Sequence, residues 1–263
     1  MTVVTLELTV VDAFTDRPFS GNPAAVAVLD EFPAEELMQA VAAELHLSET
    51  AFAVSRGGDR YDLRWFSPTV EIDLCGHATL ATTHVLGRPA RFQTKSGELV
   101  CSLTHDGLIE MDFPADPPVE APLPSGSGLE GVRWFGRGRF DGLAQLDSAA
   151  EVRSMVPDLP AIERIGGRAL IVTASGDRTG IDCVSRVFAP AAGIPEDPVT
   201  GSAHCTLAPY WCDRLGRAEL TGYQASPRGG TVRVRAAADR ILLTGHAVTV
   251  LSGELAAAAL PPA

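Results

Sequence analysis

The sequence predicts a sheet-dominant α+β fold, and three observations carry that prediction. Short runs of Val, Ala, Leu and Ile, bounded by Gly, Pro, Asn and Asp, recur from one end of the chain to the other. Segments with helical spacing are few, and they do not alternate with the strands as βαβ units would require. Hydrophobic residues make up 46% of the 263 and charged residues 21%, an ordinary balance for a chain with a proper core.

Strands are expected at residues 3–12 and 24–29, separated by a loop dense in turn formers, Phe14-Thr15-Asp16-Arg17-Pro18-Phe19-Ser20-Gly21-Asn22-Pro23. Residues 34–46 follow Pro33, carry Leu37, Val41 and Leu45 at four-residue spacing, and place Glu35 and Glu36 in the first turn; this predicts an amphipathic helix. Strands at 50–55 and 61–66 flank Arg56-Gly57-Gly58-Asp59. Residues 78–86 are small or apolar on every side and read as a helix buried all round. Two further strands fall at 98–104 and 107–113. Residues 114–128 then hold five of the 19 prolines and mark a linker or surface connection, the natural domain boundary. The expected halves are therefore 1–117 and 118–263, with the last strand free to return to the first. Beyond the boundary, strands are expected near 132–135, 142–147, 168–174, 181–188, 231–236 and 239–244, a short helix at 148–155, and two strands around Gly245. Gly126-Ser127-Gly128-Leu129-Glu130-Gly131 matches a dinucleotide fingerprint in letters, but it follows prolines rather than a strand and is set aside.

Charge and cysteine content narrow the class of function. Acidic side chains outnumber basic ones 33 to 21, a net charge of −12, which argues against nucleic acid and against an anionic membrane surface. No apolar run approaches the ~18 residues of a membrane span, and the first residues lack the pattern of a signal peptide. Five scattered cysteines fit a reducing cytoplasm better than a disulfide framework.

The chain also repeats itself. Arg64-Trp65-Phe66-Ser67-Pro68, Gly76-His77-Ala78, Thr79-Leu80-Ala81 and Leu86-Gly87-Arg88 reappear in the same order as Arg186-Val187-Phe188-Ala189-Pro190, Gly201-Ser202-Ala203, Thr206-Leu207-Ala208 and Leu215-Gly216-Arg217. The pattern describes two similar units, each with a strand ending in Phe-x-Pro, a loop, a Gly-x-Ala turn and a small-residue helix. A ligand held between such units would meet two helix N-termini, whose free N–H groups suit a carboxylate. Gly76 and Gly201 would let the backbone approach it. Beside these turns stand titratable and polar groups: Cys75 and His77 in the first, Asp197 and Ser202 in the second. His77, just past its glycine, is expected at the mouth of the site. Glu49, between a helix and an apolar strand, has the setting of a general acid/base, against the plainer reading of an exposed loop glutamate. Cys75-x-His77, and His204-Cys205 with Cys212, offer soft ligands without the paired spacing of a structural zinc site, so no metal is assigned. A Gly-x-Ser-x-Gly elbow is absent. Pro209 falls inside the second small-residue helix and should kink it or remove a hydrogen bond.

Together, Val11-Asp12-Ala13-Phe14, Phe19-Ser20-Gly21-Asn22-Pro23-Ala24-Ala25-Val26, Leu47-Ser48-Glu49-Thr50-Ala51-Phe52, Arg64-Trp65-Phe66-Ser67-Pro68, Asp73-Leu74-Cys75-Gly76-His77-Ala78-Thr79, Glu196-Asp197-Pro198-Val199-Thr200-Gly201-Ser202-Ala203-His204 and Gln224-Ala225-Ser226-Pro227-Arg228-Gly229-Gly230 resemble the phenazine-biosynthesis PhzF-like proteins, relatives of diaminopimelate epimerase and proline racemase. The resemblance implies two pseudo-symmetric domains, each a curled mixed sheet around a central helix, with the active site in the cleft between them. It implies a cofactor-free isomerase, commonly a homodimer, acting on a small carboxylate-bearing substrate. Glu49 would be the principal acid/base, completed by His77, Asp197 and Ser202. Backbone amides at Gly76–His77 and Gly201–Ser202 would bind the carboxylate, and Asn22 would line the cleft. The epimerase relatives use one cysteine in each turn; here Cys75 keeps the first position while Asp197 stands at the second, which favours carboxylate-based isomerisation. Two alternatives remain: a Cys75-dependent racemase or epimerase, and a non-catalytic small-ligand-binding protein of the same fold.

Overall fold

The computed structural model describes residues 5–255, so residues 3 and 4 of the expected first strand lie outside the described residues. The chain divides into two units, Met1–Met111 with Gly245–Ala263, and Asp112–Thr244.

In the first unit the order is β1 (Leu6–Ala13), β2 (Asn22–Leu29), α1 (Glu35–Leu45), β3 (Glu49–Ser55), β4 (Arg60–Phe66), β5 (Glu71–Ile72), α2 (Gly76–Leu86), β6 (Ala90–Thr94), β7 (Gly97–Leu103) and β8 (Ile109–Pro114), the last running on into the second unit. β18 (Ala247–Leu255) returns to pair antiparallel with β1. Parallel neighbours need a crossover, and the two helices supply it: α1 links the parallel pair β2–β3, and α2 lies between the parallel pair β4 and β6. The other neighbours, β1–β2, β3–β4, β4–β5, β6–β7 and β7–β8, are antiparallel. α2 packs on β1, β2, β3 and β18 and is buried from Gly76 through Thr83. Its small side chains allow that close approach. Its threonines stay satisfied by bonding back to carbonyls one turn earlier: Thr82 to Ala78 at 2.7 Å and Thr83 to Thr79 at 3.0 Å. On the other side, Met38, Val41 and Ala42 of α1 pack with Leu6, Leu8, Phe52 and Phe66.

The second unit runs β9 (Val119–Glu120), β10 (Trp134–Arg137), β11 (Gly142–Gln145), α3 (Ala149–Ser154), α4 (Leu159–Ile165), β12 (Leu170–Ser175), β13 (Cys183–Ala189), β14 (Ile194–Asp197), α5 (Gly201–Leu215), β15 (Glu219–Gln224), β16 (Gly230–Ala237) and β17 (Arg240–Gly245). Its pairings reproduce those of the first unit in sequence order. β10–β11 is antiparallel, β11–β12 parallel, β12–β13 and β13–β14 antiparallel, β13–β15 parallel, and β15–β16 and β16–β17 antiparallel. The duplication reaches individual side chains. Arg64 Nε and Nη2 donate to the two carboxylate oxygens of Glu71 at 2.7 and 2.8 Å, and Arg186 does the same to Glu196 at 2.7 and 2.9 Å. Each guanidinium also lies over the phenylalanine two residues on, Phe66 and Phe188, at 5.1 and 4.9 Å.

One expectation changes at the start of the second unit, and another is met further along it. The boundary expected at 117/118 falls six residues later than the division at 111/112, because the proline-rich segment is not a free linker: β9 pairs with β10, and Asp116 docks on α5. Pro209 removes a backbone hydrogen bond from α5, as expected, while the helix continues to Leu215. Proline offers no N–H to the carbonyl of Cys205 four residues earlier, and the Asp116 N–H takes that place at 3.0 Å.

Candidate active site

Four of the expected residues converge within the first unit. Glu49 opens β3 opposite Ala24 of β2, whose methyl leaves room for the longer chain, and it is only 7% exposed. It is therefore not a loop glutamate. Asn22 opens β2 and is fully buried. The turn delivering it depends on Gly21, at φ +66°, where a Cβ would stand 2.2 Å from the carbonyl oxygen of Ala13. Cys75 is the N-cap of α2 in extended conformation and makes no side-chain cap, which leaves the first N–H groups of the helix without that partner. His77 is the second helical residue and is 4% exposed, so it lies inside the cluster rather than at a mouth.

The imidazole stands between the other three groups. Its Nε2 is 3.0 Å from Oε2 of Glu49, close but outside hydrogen-bond alignment. Its Nδ1 is 3.2 Å from the Asn22 amide nitrogen and 3.5 Å from the Cys75 sulfur. Burial pushes the Cys75 thiol up, and the negative charge of Glu49 pushes it further, so Cys75 stays protonated at neutral pH. Burial opposes a charge on His77 as well, yet the Cys75 sulfur against Nδ1 and the Glu49 carboxylate against Nε2 outweigh it and hold the imidazole well above its ordinary value. An amide can turn its nitrogen or its oxygen toward Nδ1, so Asn22 can serve either protonation state of the ring. Glu49, Cys75 and His77 are also the described residues whose potential ligand atoms come within 4.8 Å of one another. Cys75 and Glu49 approach different ring nitrogens, which is the arrangement of a proton relay rather than of three lone pairs aimed at one ion.

In the second unit Asp197 ends β14, and Ser202 is the second residue of α5, the position His77 holds in α2. Both are half-buried. The loop between them is braced by Gln224, whose Oε1 accepts from the Thr200 N–H at 2.8 Å and whose Nε2 donates to the Asp197 carbonyl at 2.7 Å. The Thr200 hydroxyl donates to the Asp197 carboxylate. Thr200 caps α5 without a side-chain bond, as Cys75 does for α2. Gly76 and Gly201 are each the first residue of their helix. His204 is buried, which drives its pKa down to about 4, and its Nδ1–H is donated to the Thr200 carbonyl at 2.9 Å. Burial pushes the Cys205 thiol up to about 12, so it stays protonated at neutral pH.

Sequence reasoning missed Arg168 and Asp141. Arg168 grips the buried Asp141 carboxylate with Nε at 3.0 Å and Nη2 at 2.5 Å, and Nη2 also donates to the Ser202 hydroxyl at 3.0 Å. Gln224 was visible only as part of a matched segment. Strand register brings all three to the helix start, and the internal repeat was the signal that could have pointed there.

Two units of one topology, each opening a buried helix on a glycine with a polar side chain next to it, define the duplicated epimerase-type α+β fold. The phenazine biosynthesis-like protein family (PhzC-PhzF) matches residues 11–253, and this chain belongs to it. An uncharacterized isomerase of Halalkalibacterium halodurans is 45% identical, covering 96% of this chain and 99% of its own. The crystal structure of a PhzF-family phenazine biosynthesis protein from Enterococcus faecalis superposes with a TM-score of 0.90 at 40% identity, over 96% of this chain and 99% of that one. A predicted epimerase from Pseudomonas aeruginosa shares the fold at TM-score 0.71 and 21% identity, over 95% and 99% of the two chains. No helix among the described residues is long and apolar enough to cross a membrane.

Proposed function

We propose that this protein is a cofactor-independent isomerase that moves a proton between carbons of a small carboxylate-bearing substrate, with Glu49 taking and returning the proton. The observation that carries the reading is the buried cluster in which Glu49 lies 3.0 Å from His77 Nε2 while Cys75 and Asn22 hold the opposite face of the ring. A carbon acid beside a carboxylate is very weak, so its anion must be met by donors aimed at the developing charge. The uncapped N–H groups at Gly76 and His77 can supply them. Those at Gly201 and Ser202, with Asp197, are assigned the matching share of substrate binding in the second unit. His77, with its raised pKa, sits beside Glu49 as a cationic partner and steadies the carboxylate through the transfer. The name of the Halalkalibacterium relative supports the reaction class. The PhzF-like resemblance implies a homodimer, which sedimentation mass would test, and five free cysteines fit a reducing cytoplasm. Full activity after exhaustive chelation would test the absence of a metal.

Deuterium incorporation from D₂O into a panel of small cyclic and linear unsaturated carboxylic acids tests the reaction. Glu49→Gln should lower the exchange rate by about 10²–10⁴-fold, the usual worth of a general acid/base. Cys75→Ala should leave it within about tenfold, since the thiol is held protonated. A second reading has its own observation: the Cys75 sulfur 3.5 Å from His77 Nδ1 could form the proton-transfer group of a racemase. Loss of exchange in Cys75→Ala with retention in Glu49→Gln would establish that reading. Saturable binding with no exchange of any acid would leave a ligand-binding protein.

A further inference from the structure

The duplicated registers place Arg168 one residue before the counterpart of the first unit's proposed acid/base. In β3–β4, Thr50 pairs with Phe66; in β12–β13, Leu170 pairs with Phe188, the repeat counterpart of Phe66. Ala25 pairs with Thr50 as Gly142 pairs with Leu170. Counting back by one residue, Ala169 stands at the position of Glu49 and Asp141 at that of Ala24. Arg168 is one residue earlier still, at the same strand entry. Its target is also the counterpart: Glu49 reaches His77 in α2, and Arg168 reaches Ser202, the equivalent residue of α5. Asp141, 2% exposed, clamps the guanidinium through two hydrogen bonds and so fixes its plane.

We propose that Arg168 is the positioning residue for Ser202. A guanidinium can only donate, so the Ser202 oxygen accepts from it and the serine's own proton is left to be given away. Arg168 thereby fixes Ser202 as a donor toward a carboxylate. This rests on the assignment of Ser202 to substrate binding made above.

The test titrates benzoate, with benzamide as its uncharged counterpart, into the wild-type protein and into Ser202→Ala, Arg168→Met, Arg168→Lys and the Arg168→Met/Ser202→Ala double variant. Thermal midpoints are recorded throughout. Ser202→Ala and Arg168→Met should each weaken benzoate about tenfold or more, the worth of one hydrogen bond to a charged group, and leave benzamide within about twofold. The double variant should bind no worse than Ser202→Ala, because Arg168 acts through that hydroxyl. Lysine is a compact charge that can neutralise Asp141 but cannot span to Ser202 as well. Arg168→Lys should therefore bind like Ser202→Ala at an almost unchanged midpoint, which keeps the test alive if the methionine variant does not fold. Additive losses, equal losses for benzoate and benzamide, unchanged benzoate binding in Arg168→Lys, or no benzoate binding by the wild type would each overturn the inference. Coupled binding losses in a protein that exchanges no deuterium would refute the isomerase reading and leave Arg168's role standing. Exchange without coupling would do the reverse.

Discussion

Replacing Glu49 with Gln should reverse the way His77 links stability to pH. In the wild-type protein the imidazole is held above its ordinary value against the cost of burial. The folded state then keeps its proton where the unfolded chain, titrating near 6.5, has lost it. One proton of difference makes stability fall by up to about 1.4 kcal/mol per pH unit as the pH rises above 6.5 through the folded value. With Cys75 protonated, glutamine removes the ionised partner at 3.0 Å but leaves the burial, so the folded imidazole becomes the neutral form. Its contribution is then flat above pH 6.5 and is lost on the acid side, with a slope of similar size and opposite sign. His84 and His204, both lowered by burial, contribute equally to both proteins and cancel in the difference. The buried thiols, kept protonated by burial in the folded state of both proteins, likewise cancel in the difference. Urea unfolding of both proteins at half-unit steps from pH 5.5 to 8.5, with histidine proton NMR of the folded state, measures the effect. Wild-type and variant curves that run parallel across pH 6.5–8.5 would refute the coupling between Glu49 and His77.

The remaining expectations concern the framework. Arg186→Met strands the Glu196 carboxylate and takes a donor from the carbonyls of Val152 and Met155, which should cost about 3–5 kcal/mol in denaturant unfolding. Arg64→Met should cost less, because Lys95 remains on Glu71; equal losses would refute that comparison. Gly245→Ala puts a methyl 2.5 Å from the fully buried Phe14 ring and 3.2 Å from Leu80, and should lower the thermal midpoint by an amount equivalent to about 1–3 kcal/mol.

Much of the architecture was legible because hydrophobic period and turn chemistry report local structure directly. The helix at 34–46 is α1 (Glu35–Leu45) and the strands at 50–55 and 61–66 are β3 and β4, within a residue or so. Of the strands that escaped notice, Ala90–Thr94 and Glu219–Gln224 do alternate in burial, but Arg, Gln, Glu and Thr on their outer faces dilute the apolar signal. α4 carried a cap signal, Asp158 accepting from the Ala161 N–H at 3.0 Å, with Pro160 inside the first turn, but the helix is only seven residues long. At the site, the helix-opening turns could be read from the repeat. The burial of Glu49 could not, since it follows from parallel pairing with a small residue on another strand. Arg168 and Asp141 were hidden for the same reason: each sits in a polar loop, and register alone makes them neighbours.

The exchange of partners at Pro209 decides what counts as a separable piece of this chain. A fragment starting at residue 121 would resemble a tidy domain with its proline-rich leader trimmed, yet it would carry a bare carbonyl in the middle of its longest helix. Leaving that group unsatisfied costs about 1–3 kcal/mol. A fragment starting at Asp112 brings the Asp116 amide along and closes the helix. The stretch that looks most dispensable is in effect the missing rung of a helix formed far downstream, and any excision or fusion has to respect that debt.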